Sequence, residues 1–258
     1  RAILVNKSSN LTNLRSFIDV KSANDLKIKA SKNKRGFTFI SQIKNSKFKN
    51  FYFFNVNEKK IDYEYQNLGG LIVSEAFSLK KDRIEILFDT LPQKLKNNKQ
   101  VIQNILIGIL SKNYFFNNYK QKDHSKKIIS ISLVCSNKNI IKQALKYADS
   151  INTGVTETRN LVTTPPNILN PSNFVKQVKK LTKCGLKIEI LDETKLKKLG
   201  MNALLGVGQG SSNKSYVAIM KWNGANKNSK PLGFVGKGVC FDTGGISLKP
   251  AKFMEDMT

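Results

Sequence analysis

Three charged residues stand in one glycine-rich stretch: Lys237, Asp242 and Lys249 within Val235–Pro250, which reads VGKGVCFDTGGISLKP. Charged groups rarely adjoin a strand-like apolar run such as Gly233–Val235 unless something pairs them. Asp242 has two oxygens and can bridge two cations. A lysine ligates metal only as the neutral amine, which means lowering its pKa by roughly 3–4, or about 5 kcal/mol. A neighbouring dication in a weakly solvated site can supply that. Lys237 and Asp242 are five apart, an odd offset that a regular strand sends to opposite faces. A bend at Gly238 and at Thr243-Gly244-Gly245 would bring them to one cleft, since glycine tolerates φ > 0 and close approach. Two close metals held there could activate water and polarise a carbonyl. The plainer reading of an apolar-Gly-Lys stretch is a buried strand, a turn and an edge lysine.

Other chemistries find little support. The single histidine, His124, sits in the polar run Lys122–Lys127, so no H-E-x-x-H site exists and a Ser-His-Asp triad would have to use this residue. A hydrolytic metal site must therefore use carboxylates and lysine. Cys135, Cys184 and Cys240 are far apart and form no C-x-x-C, which fits a reducing, cytoplasmic setting. Cys240 reads as a small apolar residue rather than a thiolate ligand. Gly206–Gly210 is not a dinucleotide loop: position 211 is Ser211, and a strand is expected to follow near Ser215 instead of a helix. Nor is Gly236-Lys237 a P-loop, because Pro231 and Gly238 occupy the places of its first glycine and its Ser/Thr.

At 258 residues the chain is long enough for one large or two modest domains. Lys+Arg is 44 against Asp+Glu 18, a formal net charge of +26. Such an excess could serve non-specific nucleic-acid binding. The lysines are instead spread among abundant Asn and Ile, as an A/T-rich coding bias would produce. No RNA-binding aromatic signature, zinc-finger spacing or heptad-linked basic region accompanies them. No apolar run approaches the ~20 residues that span a bilayer, and no signal peptide is visible, so no membrane partner is expected.

The elements that must position the charged stretch alternate in an α/β manner. Strands are expected at Phe37–Ile40, Phe51–Val56, Leu71–Ser74, Ile84–Phe88 and Ile128–Val134. Lys99–Phe116 has helical apolar spacing. A long helix from about Ile140 is expected to stop near Val162, ahead of Pro165-Pro166. The domain boundary is placed inside it, giving an N-terminal α/β domain at 1–150 and a second α/β domain at 151–258. Asn170-Pro171 should start a helix and Cys184-Gly185 end it. Leu186–Leu191 is a strand, and Asp192 caps a short helix closed by Gly200. Ser215–Trp222 and Leu232–Gly236 follow as strands.

The stretch Val235–Pro250 resembles the signature of the leucine aminopeptidase (cytosol aminopeptidase) family of dimetal exopeptidases. That signature runs Val-Gly-Lys-Gly, two free positions, Phe-Asp, Ser or Thr, Gly-Gly, two free positions, Ile or Leu, then Lys-Pro, and every fixed position is filled. Arg159–Val162, Pro165–Asn167, Leu199–Met201 and Gly206–Ser211 add to the likeness, which Thr158–Thr258 carries; the first 150 or so residues are compatible in order. The resemblance implies a macro-like N-terminal α/β domain that helps build a hexamer, followed by an α/β metallopeptidase domain. It implies release of N-terminal residues, with a leucine-type preference, from peptides in the cytoplasm, using two divalent ions, Mn or Zn and possibly Mg. In the family the counterpart of Lys237 binds one metal and that of Asp242 binds both. The counterpart of Lys249 is a catalytic lysine that stays protonated, with an electrostatic role at the tetrahedral oxyanion. A free substrate α-amine on a metal would account for exopeptidase action. Met257 matches a residue lining the substrate side-chain pocket.

The family pattern continues Met-x-x-Met, Lys or Arg, x, Asp-Met. Met254 and Met257 fill the two Met places, the metal-binding Asp would fall at 260, and Asp256 is not its counterpart. The later Asn-Thr-Asp-Ala-Glu-Gly-Arg motif also lies outside these residues. The expectation is therefore a catalytic domain incomplete at its C-terminus and inactive by itself, with Lys237 still protonated and paired with Asp242 or another acid. The rival from a different class is a basic nucleic-acid-binding module without catalysis. Sequence-specific binding that survives Lys237→Ala would favour that rival.

Overall fold

The computed structural model describes residues 1–6, 9, 20–33, 36–44, 47–58, 61–121, 128–226 and 229–254. His124 and Met257 lie outside the described residues. The chain divides into two compact units, Arg1–Thr158 and Arg159–Thr258.

The first unit is built on a five-stranded mixed sheet, as the α/β pattern leads one to expect. Its strands are β1 (Ala2–Val5), β2 (Phe37–Lys44), β3 (Lys47–Asn55), β4 (Arg83–Leu87) and β5 (Ser130–Val134), in the order β2-β3-β1-β4-β5. β3, β1, β4 and β5 run parallel, and β2 pairs antiparallel with β3 at the edge. Side-chain alternation splits the core between two faces. Ile3, Val5, Phe51, Phe53 and Leu87 pack with Ala23, Leu26 and Ala30 of α1 (Val20–Lys32). Leu4, Phe54 and Ile86 pack with α2 (Asp62–Ser78), α4 (Lys99–Lys112) and the start of α5 (Lys138–Thr163). A short α3 (Gln93–Lys96) precedes α4.

Leu71–Ser74 is not a strand. These residues lie inside α2, where Leu68, Ile72 and Ala76 recur at helical spacing and are buried. Glu64 begins the helix by accepting from the Ile61 N–H at 3.1 Å. Gly69 and Gly108 let α2 and α4 pack backbone against backbone. A Cβ on Gly69 would lie 2.1 Å from the Ile105 carbonyl oxygen, and one on Gly108 would lie 1.8 Å from that of Gln66. Gln66 Nε2 also donates to Asn104 Oδ1 at 2.8 Å across the same contact.

The second unit holds α6 (Pro171–Lys180), β6 (Lys187–Leu191), α7 (Glu193–Lys198), α8 (Asn202–Gly208), β7 (Val217–Lys221) and a terminal turn of helix, α9 (Ala251–Met254). Its caps are those the sequence indicates. Asn170 accepts from the Asn173 N–H at 3.0 Å and Asp192 from the Lys195 N–H at 3.0 Å. Gly185 and Gly200 take left-handed φ of +88° and +70°. β6 and β7 form an antiparallel pair. Leu232–Gly236, expected as a strand, is irregular here. Leu232, Phe234 and Val235 are 81%, 88% and 103% exposed. An apolar run becomes a strand only where a neighbour takes its backbone hydrogen bonds, and among the described residues none pairs with this one.

Candidate functional site

The stretch 235–250 folds back on itself around Asp242. Gly244 and Gly245 both adopt left-handed φ, +88° and +67°, turning the chain directly after the acid. The turn closes where the Lys249 N–H donates to the Thr243 carbonyl at 2.9 Å. Inside it, a Cβ on Gly244 would stand 2.4 Å from the Ser247 carbonyl oxygen and 3.0 Å from Lys249 Cγ, so no larger residue fits without rearrangement. The backbone thus carries Lys249, seven residues on, back beside Asp242.

Both carboxylate oxygens of Asp242 are engaged. Oδ2 accepts from Lys249 Nζ at 2.9 Å and Oδ1 from the Gly244 N–H at 2.9 Å. The pair is partly open to water, with side-chain exposures of 50% for Asp242 and 30% for Lys249. The hydrogen bond from Lys249 holds the Asp242 carboxyl below its ordinary range; the Gly244 N–H and the Lys249 charge add to this, and the Lys237 charge contributes least. The cation on Asp242 is therefore Lys249 rather than Lys237, which is exposed on the irregular segment before it. Burial pushes the Cys240 thiol up, and its contact is a long one of 3.9 Å to the Gly238 carbonyl. Gly238 passes over α6, where a Cβ would lie 3.6 Å from Phe174 Cε1.

This donor set does not by itself fit a pair of dications. Among the described residues no three His, Cys, Asp or Glu side chains are grouped to hold a metal ion. Asp242 supplies one negative charge, already shared with an ammonium, against four positive charges at the ~3.5–4 Å spacing of two-metal centres. The sequence reading assigned Asp242 and Lys249 separate partners and missed their contact. Its signal is the glycine pair between them, which favours a turn short enough to return the lysine.

The model of the cytosol aminopeptidase family catalytic domain matches residues 156–258. The chain is 43% identical over 202 residues to the probable cytosol aminopeptidase of Phytoplasma mali, an alignment covering 76% of this chain and 40% of that protein. The corresponding protein of Agrobacterium fabrum is 39% identical over 204 residues, covering 77% and 40%. The chain thus spans about 40% of the length of these curated relatives. Among solved structures, the bottromycin maturation enzyme BotP in complex with Mn superposes with a TM-score of 0.66 at 16% identity, covering 97% of this chain and 50% of that one, a likeness of fold. With the filled signature around Asp242 inside the matched region, the chain belongs through residues 156–258 to the leucine aminopeptidase (cytosol aminopeptidase) family.

Proposed function

We propose that this chain is part of a metal-dependent aminopeptidase that removes N-terminal residues from peptides. The observation that carries the reading is the complete signature Val235–Pro250 within a matched catalytic-domain region. Lys237 and Asp242 serve as two of the metal ligands in a longer polypeptide, whose remaining carboxylates supply the negative charge that Asp242 alone lacks. The ions, two in number and Mn or Zn by family likeness, with Mg a further candidate, would supply Lewis acidity and activated water. Lys249 acts as an ammonium that stabilises charge developing on the scissile carbonyl oxygen. Met257 lines the pocket for the leaving residue's side chain, with a leucine-type preference. Residues 1–150 form a macro-like domain that helps build a hexamer in the cytoplasm, and residues 151–258 belong to the catalytic domain. The nucleic-acid-binding alternative gains no support from the comparisons.

The test is hydrolysis of a leucyl amide by the 258-residue chain and by a polypeptide extended to the length of its relatives, each supplied with Mn²⁺ or Zn²⁺. Metal-dependent turnover by the extended protein only is the expected result. No turnover by either would overturn the reading. Full turnover by the shorter chain would show that the remaining ligands lie within it.

A further inference from the structure

A cavity of about 180 Å³ lies in the first unit, between the last turns of α2 and the starts of β1 and β4. Its floor is Ala2, Phe54, Ile72, Ala76 and Ile84, continuous with the core on that face of the sheet. For scale, an apolar cavity of about 150 Å³ admits benzene. The floor alone would accept any small apolar group.

The solvent side of the cavity is charged. Half-buried Glu75 and exposed Lys81 and Arg83 line it. The turn after α2 fixes Lys81 there. Lys80 takes a left-handed φ of +52°, and the Lys81 N–H donates to the Ala76 carbonyl at 2.9 Å. Helix ends usually give that conformation to glycine, so a lysine holds it at a cost. Glu75 faces the wall residue Tyr52: burial first, and then the Glu75 charge, push that phenol up. Arg1, also on the wall, pairs with Glu85. Among the described residues neither Lys81 nor Arg83 pairs with an acid, and Glu75 pairs with no base. Both signs of charge thus stand beside one apolar recess.

We propose that this cavity binds a free amino acid with an apolar side chain. The side chain lies on the floor, the carboxylate turns to Arg83 and Lys81, and the ammonium turns to Glu75. A carboxylate without an amine would meet the like charge of Glu75, and an amine without a carboxylate would meet two cations. The site stands on the geometry of the first unit and does not depend on the peptidase reading. A free amino acid is what that reaction would release, so its occupancy would report product.

The experiment titrates L-leucine into the 258-residue chain and follows backbone amide NMR shifts. Glycine, isocaproate and isoamylamine serve as probes that lack the apolar side chain, the amine and the carboxylate in turn. Leucine should move the Ala76 and Ile84 amides with a Kd on the order of 1 mM, and each partial probe should bind at least about fivefold more weakly. Arg83→Gln and Glu75→Gln should each weaken leucine about two- to fivefold, the range that exposed charges account for. Lys230→Gln should match wild type, and circular dichroism confirms that each variant is folded. No leucine-dependent shift at these amides in the wild type overturns the proposal. Any partial probe that binds there as tightly as leucine also overturns it, as do charge variants that both keep wild-type affinity. An equal loss in Lys230→Gln overturns it in favour of net charge.

Discussion

Gly108 of α4 rests on the carbonyl of Gln66 in α2 so closely that a Cβ would lie 1.8 Å from that oxygen. Gly108→Ala must force the helices apart and strain the Gln66–Asn104 bond between them. The helix-propensity gain of alanine, up to about 1 kcal/mol, opposes a larger overpacking cost. The expected result is a net loss of about 2 kcal/mol, read as a lowered urea midpoint with an unchanged slope. Gly154→Ala, which meets nothing within 4 Å, should leave the midpoint unchanged or raise it slightly.

Thr90 continues the sheet beyond the end of β4. Its buried hydroxyl accepts from the Leu4 N–H at 2.9 Å and donates to the Leu87 carbonyl at 2.6 Å. Thr90→Val keeps the shape and strands a buried backbone N–H, which costs about 1–3 kcal/mol. Thr90→Ser restores the acceptor and should recover most of that stability. Thermal unfolding of the two variants distinguishes them.

The pH response of the loop follows from the depressed Asp242 carboxyl. A lowered folded-state pKa contributes stability above the ordinary carboxylate value near 3.9, and that contribution disappears as pH falls through the folded value. The Asp242–Lys249 contact should therefore be insensitive to pH from neutrality to about 5 and open in stronger acid. Carboxyl-carbon NMR should place Asp242 below its ordinary value in the wild type and move it upward in Lys249→Gln. An unchanged titration in that variant would mean the contact does not form in solution.

On the proposed reading, Lys249→Ala in a polypeptide extended to the length of its relatives should lower kcat far more than it changes KM, because an ammonium in that role would act on charge that develops in the transition state. Metal content, measured on the same preparation, should not fall. Loss of metal with near-normal turnover of the loaded remainder would reverse the roles assigned to Lys249 and its neighbours.

Much of this was legible in local sequence. The signature around Asp242, the Asn170 and Asp192 caps and the aromatic strand β3 each declare themselves through residue type and spacing. Leu71–Ser74 misleads because Leu-Ile-Val after two glycines has β-like composition; its helix is decided by burial of Leu68, Ile72 and Ala76 against α4. Leu232–Gly236 misleads for the converse reason, since apolar composition cannot supply a neighbouring strand. β1 has four residues, too few for a period, yet pairs on both sides at the sheet's centre. The Asp242–Lys249 contact depends on two left-handed glycines acting together, a conformational choice that spacing permits without dictating.

The exposed side chains of Leu232, Phe234, Val235 and Ile246 share a surface with a formal net charge of +26. Together they set how the chain behaves as a colloid. At low ionic strength, like charge holds neighbouring molecules beyond the reach of apolar contact. Near physiological salt the screening length falls to about 8 Å, and sticky surface then governs encounters. Light scattering should show this chain self-associating more as salt is added, the opposite of the salt response of a complex held by its positive charge. Purification in dilute buffer should therefore keep it dispersed.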